Sequence, residues 1–342
     1  MEDLHYNKMI KSFIKAISYY LPETILTNTE LVQEFPEWTV EKVAEKVGIN
    51  TRHISAKNET AGDMAEQAAI RLFREWNIKP DEVDFILLCT QSPDYFLPTT
   101  ACILQHHLNI PISAGALDYN LGCSGFIYGL ALAKGLVVAG IAKNVLLLTS
   151  ETYSKHIHSK DKGNRTIFGD AATACIIANN GFAEIGEFKL GTDGTGAESL
   201  IVKTGGMRCK EPLLDEAVNE NGALKSSDHL YMDGSEIFSF TQGKVPIVVS
   251  DALLTNKLKL EDIDLFVFHQ ANKYMLNFLR KKIKIPQEKF YIFMSNVGNT
   301  VSSTIPIALK EAISEKKIVK GNKVFITGFG VGYSWGGCVL FF

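Results

Sequence analysis

The chain has 342 residues, of which 46% are hydrophobic and 21% are charged, and its formal net charge is −3. This length suggests about two domains or one large duplicated domain, and the composition is ordinary for a soluble globular enzyme. The slightly negative charge provides no overall attraction to nucleic acid or to an anionic membrane. The longest apolar stretch, residues 126–142, is interrupted by Lys134 and contains glycines, so it predicts a buried helix rather than a membrane span.

The cysteines indicate a reduced protein without a zinc site. They form no Cys-x-x-Cys pair and no cysteine–histidine spacing typical of zinc, so no metal is expected. Residues 1–13 are too polar for a secretory signal, and a cytoplasmic location is therefore expected. The six cysteines are Cys89, Cys102, Cys123, Cys175, Cys209 and Cys338.

In chain order, the first half alternates predicted strands and helices. Residues 10–28 suggest a strand and a proline-containing turn into a helix capped near Asn28 or Thr29, and residues 61–77 form an amphipathic helix. Continuous apolar runs preceded or followed by polar residues predict strands buried on both faces. These strands fall within residues 81–93, 143–151 and 168–178.

The second half repeats this pattern. Residues 203–229 are irregular and predict a surface excursion, and residues 235–257 predict a helix that Pro246 bends or divides. Thereafter residues 261–272 match 81–92, residues 295–312 match the helix region that follows Gly122, and residues 321–330 match 143–151. Paired segments in the same order indicate an internal duplication. The predicted fold is therefore α/β, with an N-terminal half at 1–180 and a C-terminal half at 181–342.

Cys123 is the first candidate catalytic residue. It lies in LGCSGF, where an extended run ending at Asn120 leads through glycines into the apolar helix. Unpaired N–H groups at a helix start carry partial positive charge, which favours a thiolate and hence a nucleophile. The alternative is a buried core cysteine beside a tight turn.

Three further features are predicted to meet Cys123. His269 ends an apolar strand in HQAN, at the sheet edge where ligands gather in open α/β folds. Asn299 opens the helix that matches the cysteine helix, and the glycines of residues 328–337 allow backbone N–H groups to face an oxyanion. The alternatives are a core histidine, an ordinary N-cap and a structural turn.

These motifs together resemble those of the β-ketoacyl-acyl-carrier-protein synthase III enzymes of the thiolase superfamily. The resemblance covers LGCSGF, HQAN, GNT and GFGVGYSWG, with YYLPE, EWTV, GINTRHI and FGD, and it extends over nearly the whole chain in order. It implies a thiolase-like duplicated fold, with two mixed sheets and buried central helices in an α/β/α/β/α layering.

The resemblance also implies a reaction. Cys123 would accept an acyl group from acyl-CoA and condense it, with loss of CO2, with malonyl on acyl carrier protein. The backbone N–H groups of Cys123 and Val331 would form the oxyanion hole, and His269 and Asn299 would donate hydrogen bonds to the developing enolate. No metal or redox cofactor is required.

Binding residues follow from the same resemblance. Trp38 would stack on the adenine of CoA with Lys162 on its other side, and Leu97 would close the acyl pocket of a neighbouring subunit, which implies a homodimer. A basic helix face would contact acyl carrier protein, although a solvated helix face is the alternative. The residues of this face are Arg280, Lys281 and Lys282.

The chain departs from the family pattern at several positions. The segment between Trp38 and Gly48 is longer than usual, Ser239 stands where a lysine is common, and Tyr274 stands where an arginine is common. Three rival functions remain open: acyl transfer to an oxygen or nitrogen acceptor, a Cys-His-Asn hydrolase, and a duplicated binding module without catalysis. The hydrolase is disfavoured because LGCSG lacks the hydrolase signature.

Overall fold

The computed structural model describes residues 10–218 and 224–342. The helices are α1 (Asn28–Glu34), α2 (Val40–Val47), α3 (Ala61–Trp76), α4 (Thr100–His107), α5 (Gly125–Val138), α6 (Lys162–Arg165), α7 (Gly234–Thr255), α8 (Lys273–Ile283) and α9 (Thr304–Ser314). The strands are β1 (Phe13–Tyr20), β2 (Thr24–Thr27), β3 (Thr51–Ile54), β4 (Phe85–Cys89), β5 (Gly115–Tyr119), β6 (Asn144–Glu151), β7 (Ala171–Ala178), β8 (Ala183–Thr192), β9 (Leu200–Ile201), β10 (Ala217–Val218), β11 (Leu224–Lys225), β12 (Tyr231–Met232), β13 (Leu265–Phe268), β14 (Phe290–Tyr291), β15 (Lys323–Gly330) and β16 (Ser334–Phe341).

The main sheet repeats one strand order twice. Its order is β14-β13-β15-β16-β8-β1-β7-β6-β4-β5, so β8-β16-β15-β13-β14 repeats β1-β7-β6-β4-β5. In both sets the strands at the far end pair in parallel and the others pair antiparallel. The two mixed sheets expected from the sequence are these five-stranded sets, joined edge to edge by the pairs Phe13–Glu184 and Ile14–Ala183.

The central helices α5 and α9 lie between the two sets of strands. Phe126, Leu130, Ile305 and Leu309 share one buried apolar cluster with residues from the strands of both sets. Successive residues of β4, β6 and β7 point alternately into this cluster and into a second one beneath α3 and α4. A third cluster joins β13, β15 and β16 to α7 and α8. The layering is therefore α/β/α/β/α, as expected.

Helix α7 decides between the two effects predicted for Pro246. The helix runs without interruption from Gly234 to Thr255, so the proline does not divide it. Proline removes one backbone hydrogen bond, but Val245, Val248 and Val249 are buried on either side of it and pack this part of the helix against the sheet. Within residues 10–218 and 224–342, no helix combines the length and apolar character needed to cross a bilayer.

The excursion predicted at residues 203–229 is described at 203–218 and 224–229, whereas residues 219–223 lie outside the described part of the chain. The described parts contain less regular structure than the rest. Its short strands β10 and β11 pair with each other, while β9 and β12 pair where the excursion leaves and rejoins the body. This agrees with the irregular surface segment predicted from glycines and scattered charge.

Candidate active site

One buried cavity brings together the three side chains singled out in the sequence. Cys123, His269 and Asn299 all line a space of about 180 Å³ between the two halves of the fold. Most of the remaining wall is apolar, so the polar groups face little competing water. Its apolar side chains include Ile167, Phe168, Leu200, Met232, Ile237 and Phe329.

Cys123 lies just before the first central helix. Helix α5 begins at Gly125, two residues beyond the cysteine, and Ser124 occupies the N-cap position. The backbone N–H groups of Cys123 and Val331 both act to lower the pKa of the Cys123 thiol. The two groups predicted to form an oxyanion hole therefore lie beside the predicted nucleophile.

The resting state of Cys123 differs from the prediction. Burial, which is the largest cause, and the nearby Glu151 carboxyl together raise the pKa of the Cys123 thiol to about 12, although the backbone N–H groups of Cys123 and Val331 act to lower it. The expectation that the helix start favours a thiolate is wrong, because desolvation of a buried charge outweighs the effect of these backbone N–H groups. A thiol in this position needs a base to become a nucleophile.

His269 is held as a neutral ring. It follows β13, and its backbone N–H donates to the Thr327 carbonyl at 2.8 Å. Its Nδ1 lies 2.7 Å from Thr304 Oγ1, at the start of α9. Burial lowers the pKa of His269 to about 3, with a hydrogen bond to the Val301 backbone acting in the other direction. The ring is therefore uncharged near neutral pH and can accept or donate one proton at Nε2.

Asn299 presents an amide donor to the cavity. Its Oδ1 accepts the Val301 N–H at 3.0 Å, and its Nδ2 donates to the Ala271 carbonyl at 3.4 Å. The second hydrogen on Nδ2 has no acceptor among the described residues. Asn299 precedes a 3-10 turn rather than opening α9 itself, which starts at Thr304.

Val301 contacts groups that position both Asn299 and His269. Its N–H fixes Asn299, and its carbonyl accepts the Thr304 hydroxyl at 3.1 Å, which in turn touches His269. Val301 is fully buried and has φ 55°, a left-handed conformation that a β-branched side chain rarely adopts. Strain of this kind costs about 1–3 kcal/mol and concentrates at functional sites. Nothing in the sequence around position 301 signals it.

Glu151 is a second feature that sequence reasoning missed. It ends β6 and is fully buried, accepting hydrogen bonds from the Gln91 N–H and the Ser302 hydroxyl at 3.0 Å each. Burial raises the pKa of its carboxyl to about 8. Its position at the carboxyl end of a buried strand is the one signal that could have identified it.

The residues predicted to contact CoA lie outside the cavity wall. Trp38 is half-buried. Lys162 forms an ion pair at 2.7 Å with Glu37, which directly precedes Trp38 in the chain. A second pair joins Arg165 to Glu34. Helix α6 is thus fastened to the segment that carries Trp38, and the two predicted residues share one corner of the surface.

The other predicted contact residues lie on the surface. Lys281 and Lys282 are exposed in the last turn of α8, whereas Arg280 is half-buried and donates to the Ile285 carbonyl at 3.3 Å. Leu97 is 83% exposed and follows the equally exposed Phe96. Phe96 and Leu97 therefore leave apolar surface uncovered in the single chain.

One side-chain cluster in the described residues has the composition of a metal site. The ligand atoms of His158, Glu216 and His229 all lie within 4.8 Å of one another. However, His158 Nδ1 accepts the Lys160 N–H at 3.0 Å, so the ring proton occupies Nε2, which faces Glu216 at 3.2 Å. A metal on Nε2 would require the proton on Nδ1, where it would oppose that N–H. The cluster therefore fits a histidine–carboxylate contact better than a metal.

Comparison with known proteins gives consistent family matches. Residues 117–194 match the family described as 3-Oxoacyl-[acyl-carrier-protein (ACP)] synthase III, and residues 253–342 match its C-terminal family. A relative named beta-ketoacyl-[acyl-carrier-protein] synthase III, from Caldanaerobacter subterraneus subsp. tengcongensis, is 36% identical over 97% of this chain and 98% of its own length.

Solved structures agree with this. A crystal structure of a 3-oxoacyl-(acyl-carrier-protein) synthase III is 49% identical, with a TM-score of 0.95 over 97% of this chain and all of that chain. A 3-oxoacyl-(acyl-carrier protein) synthase from Burkholderia xenovorans LB400 is 34% identical, with a TM-score of 0.88 over 97% and 93% of the two chains.

Proposed function

Because the chain belongs to the 3-oxoacyl-[acyl-carrier-protein] synthase III family, we propose that it is a decarboxylating condensing enzyme with Cys123, His269 and Asn299 as its catalytic residues. The observation that carries the assignment of residues is the shared cavity of these three side chains. The family fixes the type of reaction, and the cavity supports a role for each residue.

In the first step, an acyl group passes from acyl-CoA to Cys123. The thiol gives its proton to His269 Nε2, the sulfur attacks the thioester carbon, and the thiolate of CoA leaves and takes that proton. The backbone N–H groups of Cys123 and Val331 stabilise the negative oxygen that forms during attack. A neutral His269 suits this role because only the uncharged ring can accept the proton.

In the second step, malonyl on acyl carrier protein loses CO2. The electron pair of the broken carbon–carbon bond moves into the thioester to give an enolate, whose oxygen accepts hydrogen bonds from His269 and Asn299. The enolate carbon attacks the acyl carbon on Cys123, the sulfur leaves as a thiolate, and one proton from water restores the thiol. Neither donor carries a charge, and the apolar wall excludes water that would protonate the carbanion.

No metal or redox group takes part in these steps. Acyl-CoA and malonyl on the carrier protein are substrates rather than resident cofactors. The apolar wall of the cavity suits the narrow chain that links either thioester to CoA or to the carrier protein. We propose that the adenine of CoA binds at the corner of the surface where Lys162 pairs with Glu37, the residue next to Trp38.

The carrier protein would dock on the last turn of α8. The exposed ammonium groups of Lys281 and Lys282 offer positive charge to an acidic partner, and Arg280 adds charge to the same turn. Helix α8 also contributes Met275 to the cavity wall. A protein bound at α8 would therefore stand beside an entrance to the site.

A homodimer is supported by apolar surface at one edge of the sheet. Strand β5 is the last strand of the ten-stranded sheet and is paired on one side only within the described chain. Tyr95, Phe96, Leu97 and Ile112 are exposed in the segments that precede it. Such a surface favours association, and Leu97 would then reach a neighbouring acyl pocket.

Two further proposals concern the division of the chain into halves and its location in the cell. The repeated strand order supports a division into halves at residues 1–180 and 181–342, because β7 ends at Ala178 and β8 starts at Ala183. The six cysteines are all unpaired, which suits a reducing cytoplasm.

The alternative of acyl transfer to an oxygen or nitrogen acceptor uses the first step alone. It is not favoured, because the related proteins above are named as carrier-protein synthases. A hydrolase would need Asn299 to orient His269, but in the structure Thr304 contacts that ring and Asn299 contacts Val301 and Ala271.

The test measures both half-reactions. Intact-protein mass spectrometry after exposure to a panel of acyl-CoAs should show one acyl adduct on the wild type and none on Cys123→Ala. Addition of malonyl carrier protein should then remove the adduct with release of one CO2 per product. Adduct formation without malonyl-dependent CO2 release would eliminate condensation and leave the acyl-transfer alternative.

A further inference from the structure

Arg52 is a completely buried charge held only by neutral oxygen atoms. Its Nη1 donates to the Leu26 carbonyl at 3.3 Å, and both Nη1 and Nη2 donate to Asn28 Oδ1 at 2.9 Å. Nη2 also donates to the Thr166 carbonyl at 2.9 Å. Burial lowers the pKa of Arg52 to about 10, which leaves it charged at neutral pH, and no carboxylate of the described residues offsets this effect. A buried charge without a counter-charge destabilises a fold, and perturbed charges of this kind concentrate at functional sites.

The segment that Arg52 holds is also the backbone partner of Asn299. The N–H of Asn299 donates to the Ile167 carbonyl at 2.9 Å, and its carbonyl accepts the Gly169 N–H at 3.0 Å. Both backbone hydrogen bonds of Asn299 therefore go to residues within three positions of Thr166. A shift of this segment would move Asn299 with it.

The first carbon of the Arg52 side chain packs between the same two segments. A Cβ built on Gly169 would lie 3.1 Å from the Arg52 Cβ, and one built on Gly298 would lie 3.0 Å from it. Gly298 has φ 78°, a conformation that glycine adopts readily. Arg52 thus contacts the residue before Asn299 directly, while its guanidinium fixes the segment that pairs with Asn299.

We propose that Arg52 is a positioning residue that aligns the side-chain amide of Asn299 for condensation. This inference rests on the proposed function, in which that amide donates to the enolate. Arg52 does not line the cavity, so it acts through the backbone of Asn299 rather than on the substrate. None of its hydrogen bonds goes to Cys123 or His269, so acylation should not depend on it.

Arg52→Met separates the two steps. Methionine keeps an unbranched apolar stem against the two glycines but has no donor for the Thr166 carbonyl. At saturating acyl-CoA, acylation of Cys123 should stay within about threefold of the wild type, because the two sites share no partner. Condensation from pre-acylated enzyme should fall by about tenfold to 10²-fold, the upper value being the cost of losing one oxyanion donor. Loss of folded protein alone would slow both steps by the same factor, so the ratio of the two rates is the readout.

Hydrogen exchange gives a second readout that does not depend on catalysis. The backbone amides of Gly169 and Asn299 should exchange about tenfold faster or more in Arg52→Met, because the bridge between them opens locally. Amides within α5 should exchange at the wild-type rate. A general loss of stability would instead accelerate exchange in both regions.

Lys289→Met is the matched control. Lys289 also donates to two backbone carbonyls, those of Glu261 at 3.1 Å and Ile263 at 2.7 Å. These residues precede β13, whereas His269 follows it. The substitution should change neither the ratio of the two rates nor exchange at Asn299.

Asn28→Ala tests the inference without altering Arg52 and serves if Arg52→Met does not fold. It removes the oxygen that accepts from both Nη1 and Nη2. Condensation should fall by about fivefold relative to acylation, the equivalent of one net hydrogen bond. Exchange at Asn299 should be faster than in the wild type.

An unchanged ratio of the two rates, or unchanged exchange at Asn299, would refute the inference in whichever of these two variants folds. Wild-type enzyme that forms the acyl adduct but never releases CO2 would instead refute the proposed function. In that case faster exchange at Asn299 in Arg52→Met would still show that Arg52 holds this residue in place.

Discussion

Gly330 provides the sharpest test of how Cys123, the proposed nucleophile, is held. It ends β15 and packs directly on Cys123, without a positive φ that would itself forbid a side chain. A Cβ added there would lie 2.8 Å from the Cys123 Cβ and 2.9 Å from its Sγ. The first of these distances is about 0.7 Å shorter than the closest favourable carbon–carbon separation.

Gly330→Ala must therefore move the cysteine. Gly330 is buried and paired with Ser334 of β16, so the strand has little freedom to withdraw. A displacement of the sulfur approaching 1 Å costs about 10²-fold in rate, and overpacking of this kind destabilises a fold by about 1–3 kcal/mol. We expect slower acylation, a lower melting temperature and little change in the KM for acyl-CoA.

The assay follows acyl-enzyme formation by rapid-quench mass spectrometry, together with thermal unfolding. Gly243→Ala is the matched control, because a Cβ at this exposed position within α7 meets no atom within 4 Å. It should leave acylation unchanged and raise stability by up to about 1 kcal/mol through helix propensity. A Gly330→Ala enzyme with wild-type acylation and stability would show that Cys123 is not held by this contact.

Two other predictions concern charge. Burial raises the pKa of the Glu151 carboxyl to about 8. The free energy of unfolding of the wild type should therefore fall as the pH rises from the ordinary pKa of a glutamate to about 8. The stability advantage of Glu151→Gln, measured by thermal unfolding, should therefore be absent near pH 4 and grow to about pH 8; a constant difference would show that folding does not raise the pKa of the carboxyl. Replacing both Lys281 and Lys282 by Glu should raise the KM for carrier-protein substrate by about tenfold and weaken its salt dependence, with kcat retained. The same change at the exposed Lys316 and Lys317 should have no effect, and equal effects would refute docking at α8.

The sequence predicts the architecture well because it depends on local patterns. Buried strands are continuous apolar runs, and two copies in the same order fix the strand arrangement of each half. Cys123 and His269 could be selected as candidate site residues, and both line one cavity, because each lies at the end of a buried element, beside glycines or within a short polar motif. Such signals can be read from the amino-acid sequence alone.

The environment of these residues could not be predicted in the same way. The pKa of Cys123 depends on how much protein surrounds the sulfur, which involves strands from both halves. The left-handed conformation of Val301 opposes the preference of its own side chain, so local propensity predicts the wrong geometry. Glu151 resembles any polar strand end until its burial and its contact with Ser302 are known.

The backbone of the single residue Val301 has a consequence for how this site can change. Its two backbone groups orient Asn299 and, through Thr304, His269, so a mutation that relaxes residue 301 shifts both donors together. Substitutions on the two sides of that turn should therefore show strongly non-additive effects. A variant selected for thermal robustness would gain most by releasing this conformation, and it would lose the alignment of the donors in doing so.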